Sequence, residues 1–399
     1  MDTEPPEFPA PDVAVESVTP DELKERIDRE ERVTLLDVRK RDTYEEWHIR
    51  GENVENVNVP YTRFLDEGID EEALAAIPDD ERVVVLCAKG KASEFVAGEL
   101  AARGYDVEHL EGGMNGWASI YESHEVTGYD GAGTLYQYQR PSSGCLGYLL
   151  VSEGTAAVID PLRAFADRYL EDAAEMGAEL AYAFDTHIHA DHVSGLRNLA
   201  REGIEAVLPA AAADRGVTYA DEVTLAEDGD GFAVGGATVE AVFTPGHTTG
   251  MTSYLLDRSF LATGDGLFVE SVARPDLEKG DDGAPEAARQ LYESLQGRIL
   301  TFPEDTLVGG GHVSEDAEPA ADGTYTASIG ELKDRMEALS MDEEGFLEVV
   351  LSDMPPRPAN YEEIIAANLG RNEVDDEEAF TLELGPNNCA ASQDALTSD

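Results

Sequence analysis

Five of the chain's eight histidines lie between residues 187 and 312. Three of them belong to the segment THIHADH (186–192), which follows an apolar run with the composition of a strand. Because alternate residues of an extended chain point the same way, His187 and His189 can converge on one metal ion. Once the chain turns, Asp191 and His192 can reach a second position beside it. The segment therefore predicts a metal site at the end of a strand.

Three further candidate ligands follow predicted strands later in the chain. His247 follows Thr-Pro-Gly, Asp265 follows Thr-Gly, and His312 follows Gly-Gly. Neutral imidazole and carboxylate groups suit zinc or iron, and incomplete ligation by the protein leaves positions open for water, O2 or substrate. The seven candidate metal ligands are His187, His189, Asp191, His192, His247, Asp265 and His312.

A second site is predicted around Cys87, which closes an apolar run and opens a loop that leads into a predicted helix. Two of the chain's few lysines, Lys89 and Lys91, lie close to this thiol. Lysine charge, backbone N–H groups in a tight loop and a helix N-terminus all favour the thiolate, the nucleophilic form of cysteine. We therefore expect Cys87 to attack sulfur and hold a persulfide, with Lys89 and Lys91 binding substrate. The alternative is a buried structural cysteine.

The charge of the chain restricts its partners and indicates its environment. With 28 basic and 84 acidic residues, the formal net charge is −56. Nucleic acid requires a basic surface and is excluded as a main partner. Self-repulsion of this size destabilises a compact state in dilute buffer, whereas in molar salt the Debye length falls to about 3 Å. These features favour an extreme halophile; an unusually acidic mesophilic protein is the alternative.

The cysteines and the hydropathy indicate the compartment. Three scattered cysteines form no disulfide framework and fit a reducing environment. No apolar run approaches the ~18 residues of a membrane span, and the acidic, proline-rich start lacks the features of a signal peptide. We therefore expect a cytoplasmic protein with no membrane partner. The sequence leaves open whether it forms a homo-oligomer.

The distribution of apolar runs, helical periods and turn residues predicts an α/β chain in several parts. Residues 1–12 are expected to form a disordered leader, 13–125 a small α/β domain and 126–133 a linker. Residues 134–345 carry the strands and histidines of a second domain, and 346–399 form a C-terminal extension and tail. The length agrees with two or three domains of roughly 100–200 residues each.

Four motifs of the first domain occur in the order found in a single-domain rhodanese, which this region resembles. The motifs are LDVR (36–39), WHIRG (47–51), the Cys87 loop and LEGGMNGW (110–117). The resemblance implies a rhodanese-like fold and sulfur transfer through a persulfide on Cys87. Ala92 stands where these loops often carry an arginine, so anion binding here departs from the family pattern. His48 is expected to form structural hydrogen bonds rather than to act in catalysis.

The histidine-rich region, residues 134–340, resembles the metallo-β-lactamase fold, an αββα sandwich with its metals at one edge of the sheets. Two branches of that family compete. In persulfide dioxygenases, one Fe(II) is held by residues that match His187, His247 and Asp265. In glyoxalase II-like thioester hydrolases, all seven candidate ligands hold two metals, and the residue matching Asp265 bridges them. The seven residues are kept in both branches and do not choose between them.

Two features favour the dioxygenase branch. The segment RPD (274–276) resembles its rhodanese-fused members, so Arg274 is a candidate substrate-binding residue; a structural pair with Asp276 is the alternative. Dioxygenation of a persulfide yields sulfite, which a rhodanese can join to sulfane sulfur to make thiosulfate. One departure is the segment GGGH (309–312), where persulfide dioxygenases tend to have Tyr-Pro-Ala-His, so a tyrosine expected near the metal is absent.

The sequence thus predicts a fusion enzyme that oxidises a small-molecule thiol persulfide with O2 to sulfite at one Fe(II), coupled to sulfur transfer by Cys87. The alternative is a thioester hydrolase that uses two metals, such as Zn(II), with an accessory sulfurtransferase domain. Cys145 is expected to pack beside a strand. Cys389 has no assigned role, and a mobile sulfur-carrying tail is one interpretation.

Overall fold

The chain forms two compact units, Met1–Ile120 (unit 1) and Tyr121–Asp399 (unit 2). The computed structural model describes residues 8, 13–65, 71–314, 317–352, 354–385 and 388–391. The predicted leader, apart from Phe8, and the last residues of the predicted tail lie outside the described residues. Among the described residues, no helix is both long enough and apolar enough to cross a membrane.

Unit 1 is an α/β unit with one parallel sheet. Its strands are β1 (Glu16–Val18), β2 (Val33–Asp37), β3 (Val54–Asn58), β4 (Val83–Leu86) and β5 (Val107–Leu110), and its helices are α1 (Pro20–Asp28), α2 (Arg41–Glu46), α3 (Glu71–Ala75), α4 (Lys91–Ala101) and α5 (Gly113–Ala118). The strand order is β1-β5-β4-β2-β3. The inner strands β2 and β4 are buried along their whole length, as expected when both faces of a parallel sheet are covered.

Unit 2 contains two sheets with helices outside them. Its strands are β6 (Glu122–Glu125), β7 (Thr134–Arg140), β8 (Cys145–Ser152), β9 (Thr155–Ile159), β10 (Glu179–Phe184), β11 (Glu205–Pro209), β12 (Thr224–Ala226), β13 (Gly231–Val234), β14 (Ala237–Phe243), β15 (Thr252–Leu256), β16 (Phe260–Gly264), β17 (Leu307–Gly310) and β18 (Ala327–Ser328). Its helices are α6 (Ala166–Glu175), α7 (Leu196–Arg201), α8 (Ala210–Ala213), α9 (Gly280–Gly297), α10 (Ile329–Arg335), α11 (Glu343–Ser352), α12 (Tyr361–Asn368) and α13 (Asp376–Leu382).

The two sheets of unit 2 pack face to face. One has the order β12-β11-β10-β9-β8-β7-β6 and the other β13-β14-β15-β16-β17-β18. Phe184 of the first sheet and Phe260 of the second belong to one apolar core between them. Tyr169 belongs to a core under the outer helices of the first sheet, and Phe346 to a core under those of the second. This is the αββα sandwich predicted from the sequence.

The strand directions in unit 2 decide where the candidate ligands lie. β14 and β15 are antiparallel, β15 and β16 are antiparallel, and β16 and β17 are parallel. It follows that β14, β16 and β17 all end at the same edge of the second sheet. The residues that come directly after these strands therefore meet there.

The unit boundaries differ from the predicted domain limits at both ends of unit 2. β6, expected at the end of the first domain, pairs antiparallel with β7 and belongs to the sheet of unit 2. Val126, in the expected linker, is buried in the core between the sheets. α11 runs across the expected limit at residue 345 and packs against α9. The described part of the extension is therefore part of unit 2.

Candidate metal centre and sulfur-transfer site

Three buried side chains from the ends of three strands form a group that we call the His–His–Asp triad. His187 follows β10, His247 follows β14 and Asp265 follows β16. The Nε2 atoms of His187 and His247 lie 3.6 and 3.5 Å from Oδ2 of Asp265. All three side chains are buried. The structure thus brings together ligands that the sequence places far apart.

Hydrogen bonds fix the orientation of both imidazoles in the triad. The Thr186 hydroxyl donates to Oδ2 of Asp160 at 2.9 Å, so its oxygen accepts the proton on Nδ1 of His187, also at 2.9 Å. Nδ1 of His247 donates to the carbonyl oxygen of Arg274 at 2.9 Å. A proton held on Nδ1 leaves Nε2 with a lone pair, which is the arrangement of metal-binding histidines.

The atoms that face one another in the triad are suited to a metal ion. Nε2 of His187, Nε2 of His247 and Oδ2 of Asp265 are buried without a hydrogen-bond partner among the described residues. Buried polar atoms are normally paired, because an unpaired one costs about 1–3 kcal/mol. Burial lowers the pKa of both histidines, so both rings are in the neutral, metal-binding form. Two imidazoles and one carboxylate are a ligand set used for non-haem Fe(II) and for zinc.

His312 lies between two carboxylates next to the triad. Its Nδ1 is 2.6 Å from Oδ1 of Asp265 and its Nε2 is 2.7 Å from Oδ2 of Asp191. Burial opposes protonation of His312, but the two carboxylates raise its pKa well above the ordinary value. Both ring nitrogens therefore act as hydrogen-bond donors. The hydrogen bond from Nδ1 of His312 occupies Oδ1 of Asp265, so Oδ2 of Asp265 faces the two histidines of the triad.

The remaining histidines of the THIHADH segment surround the triad. The His189 ring lies 4.2 Å from the His187 ring and 4.1 Å from the His192 ring, measured between centroids. Nε2 of His189 is 3.2 Å from Oδ1 of Asp160. Nδ1 of His192 lies 3.1 Å from Oδ2 of Asp191. All seven candidate ligands are thus buried in one region of unit 2.

Two thiols lie at this region, and sequence reasoning gave neither a place there. The Cys145 thiol donates to Oδ2 of Asp191 at 3.2 Å. Cys389 is fully buried, and its sulfur lies within 4.8 Å of ligand atoms of Asp265 and His312. Its neighbour Ala390 forms a β-bridge with Ala273. This overturns the interpretation of Cys389 as a mobile carrier, because a buried sulfur in a paired segment is not available to a distant donor.

Two side chains of the C-terminal extension hydrogen-bond the backbone of the THIHADH segment and of the residues just after it. The Asn368 amide donates to the carbonyl oxygens of His189 and His192 at 3.0 and 2.8 Å, and its oxygen accepts the backbone N–H of Ser194 at 2.9 Å. Glu383 accepts the N–H of Val193 at 2.9 Å. No motif in the sequence signals these roles, because asparagine and glutamate are common in polar helices.

Arg274 is buried and its guanidinium is directed at protein groups. It makes a bidentate pair with Asp276 at 2.7 and 3.0 Å and donates to the carbonyl oxygens of Pro356 and Asn388 at 2.9 and 3.0 Å. The sequence offered substrate binding and a structural pair with Asp276 as the alternatives, and these contacts are those of the second. Arg274 also connects two parts of the site. Its guanidinium donates to Asn388, next to Cys389, and its carbonyl oxygen accepts the Nδ1 proton of His247.

A cavity of about 480 Å³ lies close to the metal region. Leu277, which lines it, packs with Ala190 and Cys389, and Tyr361 of the wall packs against the same cluster. Arg215, also in the wall, directs its guanidinium at the carbonyl oxygen of Ile188 at 3.5 Å. The cavity has the size of a pocket for a small organic molecule, roughly 300–1,000 Å³.

The loop around Cys87 in unit 1 places the thiol above a helix N-terminus. The Cys87 sulfur accepts the backbone N–H of Gly90 at 3.1 Å. Gly90 has φ +87° and directly precedes α4. Lys89 and Lys91 are exposed beside the thiol, whereas Ala92 is buried in the first turn of α4. A sulfur that accepts a backbone N–H at the start of a helix is placed where a persulfide could be bound.

Two further features of unit 1 support this loop. Gly113 packs so closely that an added Cβ would lie 2.1 Å from the Cys87 carbonyl oxygen, which accepts the N–H of Met114 at 2.8 Å. The GGM segment of the last rhodanese-like motif thus forms the floor of the Cys87 loop. Nδ1 of His48 lies 2.9 Å from the carbonyl oxygen of Tyr44, a local structural hydrogen bond.

Family models match both units. The rhodanese-like domain model matches residues 19–120, and the metallo-beta-lactamase superfamily model matches residues 142–312. Fold and site together therefore define a metallo-beta-lactamase-fold enzyme that carries a rhodanese domain.

Individual relatives narrow this class. The chain is 31% identical over 246 residues to the human mitochondrial persulfide dioxygenase ETHE1, covering 59% of this chain and 87% of that protein. A hydroxyacylglutathione hydrolase of Synechococcus is 34% identical over 165 residues, covering 40% of this chain and 59% of the hydrolase. The crystal structure of ETHE1 from Myxococcus xanthus is 30% identical with a TM-score of 0.51, covering 60% of this chain and 99% of the other. The chain belongs to the persulfide dioxygenase family of metallo-beta-lactamase-fold enzymes.

Proposed function

We propose that unit 2 oxidises the persulfide of a low-molecular-weight thiol with O2, using one Fe(II) held by His187, His247 and Asp265. The reaction is RSSH + O2 + H2O → RSH + SO3²⁻ + 2 H⁺, in which the sulfane sulfur loses four electrons and O2 gains them. The observation that carries the proposal is the triad itself, whose three buried ligand atoms face one another and have no hydrogen-bond partner among the described residues. The similarity to the human persulfide dioxygenase ETHE1 supports it.

The residues around the triad have distinct roles in this proposal. Fe(II) bound by the triad would supply open coordination positions and the electron transfer that O2 chemistry requires. Thr186 and the carbonyl oxygen of Arg274 hold the two imidazoles with Nε2 inward. His312 hydrogen-bonds Oδ1 of Asp265 through Nδ1 and Oδ2 of Asp191 through Nε2, so both of its ring N–H groups are engaged by carboxylates. The cavity beside Leu277 and Tyr361 would take the organic part of the persulfide.

Unit 1 would use the sulfite that unit 2 makes. The Cys87 thiolate attacks the sulfane sulfur of a persulfide, whose S–S bond breaks to release the thiol. The lone pair of sulfite then takes that sulfur from Cys87, which yields thiosulfate and restores the thiolate. The exposed Lys89 and Lys91 would attract the anionic sulfur species to the loop.

Oxygen uptake by Fe(II)-loaded protein in molar KCl, with a glutathione persulfide as substrate, tests both steps. We expect the wild-type chain to consume O2 and to release thiosulfate. His247→Ala should abolish uptake, whereas Cys87→Ser should keep uptake but release sulfite in place of thiosulfate. Uptake that His247→Ala leaves unchanged, or an iron-loaded wild type that consumes no O2 with several thiol persulfides, would reject the dioxygenase.

One observation favours a second candidate, a thioester hydrolase with two metals such as Zn(II). Oδ1 of Asp191, Nε2 of His192 and both ring nitrogens of His189 are also buried without a hydrogen-bond partner among the described residues. Asp191 and His192 belong to one group of possible ligands with Cys145 and His312, whereas His189 belongs to another group with Asp160 and Asp185. The first group suits a second ion, and two metals can activate water for attack on a thioester carbonyl. Thiol release from an acyl-thioester by zinc-loaded protein, with no O2 uptake by the iron-loaded form, would establish this function instead.

A further inference from the structure

A second cavity of unit 2 shares no wall residue with the cavity beside Leu277 and Tyr361. Its volume is about 210 Å³, and three arginines line it: Arg163, Arg197 and Arg201. Most of the other wall residues are uncharged, and Glu373 is the carboxylate among them. The wall is therefore rich in positive charge.

Such a wall is unexpected in this chain, which has 84 acidic and 28 basic residues, or three carboxylates for each base. Arg163 is paired as expected in so acidic a chain, because its guanidinium lies 2.8 Å from a carboxylate oxygen of Asp376. Arg197 and Arg201 form no ion pair with any carboxylate in the part of the chain that the structure describes. Within the described residues, these two neighbouring arginines therefore leave positive charge that no carboxylate neutralises through an ion pair.

The two arginines share one helix face, and one of them is held in place by an aromatic ring. They are four residues apart on α7, so they lie on the same face of that helix. The Arg197 guanidinium lies 4.9 Å from the centre of the Tyr219 ring, a cation–π contact that restricts its side chain. The Tyr219 hydroxyl in turn donates to the carbonyl oxygen of Asn368 at 2.7 Å. Arg197 is therefore restrained without any bound ligand, whereas Arg201 is exposed beside it.

We propose that this cavity binds a small oxyanion with two or more negative charges, with Arg197 and Arg201 as its ligands. A guanidinium presents paired N–H donors that match the oxygens of such anions bidentately, which a chloride ion cannot reproduce. The volume is below the roughly 300–1,000 Å³ of pockets for larger organic ligands, so it suits an ion of a few heavy atoms. Phosphate, sulfate and the sulfur oxyanions share this chemistry.

The site is connected to the metal region through the backbone. Ser194 and Asn368 line the cavity, and the Ser194 N–H donates to the Asn368 oxygen at 2.9 Å. The Asn368 amide donates to the carbonyl oxygens of His189 and His192. A bound oxyanion should therefore restrict the opening of the loop that carries these histidines, and the Ser194 amide proton reports it.

Isothermal titration calorimetry in molar KCl tests the proposal, with phosphate, sulfate, sulfite and thiosulfate as separate probes. We expect at least one of them to bind the wild-type chain, and Arg197→Gln and Arg201→Gln each to weaken that binding at least tenfold. Arg335→Gln is the matched control, because Arg335 is also exposed and also in the last turn of a short helix, α10. The preferred probe distinguishes a phosphate source from a sulfur oxyanion source.

Hydrogen exchange of the Ser194 amide tests whether the anion binds in this cavity. The same anion should slow exchange of the Ser194 amide in the wild type and in Arg335→Gln, but not in Arg197→Gln or Arg201→Gln. Absence of wild-type binding for all four anions would overturn the proposal. So would equal binding in all three variants with unchanged thermal unfolding, or binding that leaves Ser194 exchange unaffected. The proposed oxidation is tested by separate variants and does not depend on this outcome.

Discussion

At the scale of the residue, the metal region depends on atoms that never touch the metal. Thr186 accepts the Nδ1 proton of His187 because its own proton is given to Asp160. Thr186→Val removes that acceptor with little change in shape, and we expect metal affinity to fall about 10–100-fold. Thr186→Ser keeps the hydroxyl and should retain affinity. A chelator competition titration measures both, and equal affinity for Thr186→Val would show that this bond does not orient His187.

A glycine beside Thr186 provides a second prediction at this scale. Gly264 has φ +49°, and an added Cβ would lie 2.3 Å from Oγ1 of Thr186 and 2.5 Å from Cε of Met251. We expect Gly264→Ala to lower the free energy of unfolding by about 1–3 kcal/mol from backbone strain alone, with a further loss from the displaced Thr186. Metal content should fall with it. Gly297→Ala is the control, because a Cβ there would meet none of the described residues within 4 Å.

At the scale of the element, the C-terminal helices are part of the metal region. α12 ends at Asn368, and the chain just after α13 supplies Glu383, which pairs with the buried Arg140 at 2.7 Å. These contacts explain why residues beyond 345 belong to unit 2. We therefore expect a substitution in α12 to destabilise the THIHADH loop.

Asn368→Ala tests this connection. It leaves the carbonyl oxygens of His189 and His192 and the N–H of Ser194 without partners, and each unpaired buried group costs about 1–3 kcal/mol. We expect the free energy of unfolding to fall by about 2 kcal/mol or more in denaturant titrations. Gln296→Ala, which removes one hydrogen bond to the Leu339 carbonyl, should cost about 1 kcal/mol. Equal losses would argue against a special role for Asn368.

At the scale of the whole molecule, the net charge of −56 dominates behaviour in solution. Raising the ionic strength from 0.1 M to 1 M shortens the Debye length from about 10 to about 3 Å, which weakens repulsion between surface carboxylates. We expect the unfolding temperature of both units to rise from dilute buffer to molar KCl. This would agree with the halophilic environment that the composition favours.

The two units can be followed separately in that experiment. Both tryptophans, Trp47 and Trp117, lie in unit 1, so tryptophan fluorescence reports unit 1 while circular dichroism reports the whole chain. NaCl at equal ionic strength is the control, because screening does not depend on the cation. Unfolding temperatures that stay constant with salt would reject electrostatic repulsion as the main term.

The sequence by itself determined the two folds and the candidate sites that lie in short local patterns. The THIHADH segment, the three later strand ends and the Cys87 loop are each contained in a few consecutive residues, so spacing and strand alternation were enough to find them. The structure brings His247 and Asp265 together because β14 and β16 end at one sheet edge, and His187 joins them from the end of β10 in the other sheet. Strand and helix patterns indicated two sheets carrying helices, and the resemblance to the metallo-β-lactamase fold implied the αββα sandwich.

Only the tertiary structure decided which groups surround these sites. Asn368, Cys389 and the partners of Arg274 come from a C-terminal segment that carries no motif, and Cys145 reaches Asp191 from the start of β8. Unit 1 ends at Ile120, before the predicted limit at residue 125, because β6 pairs with β7 of unit 2. The physical reason is common to all of these. Hydrogen bonds and burial between distant segments depend on packing geometry, which a local pattern in one segment does not contain.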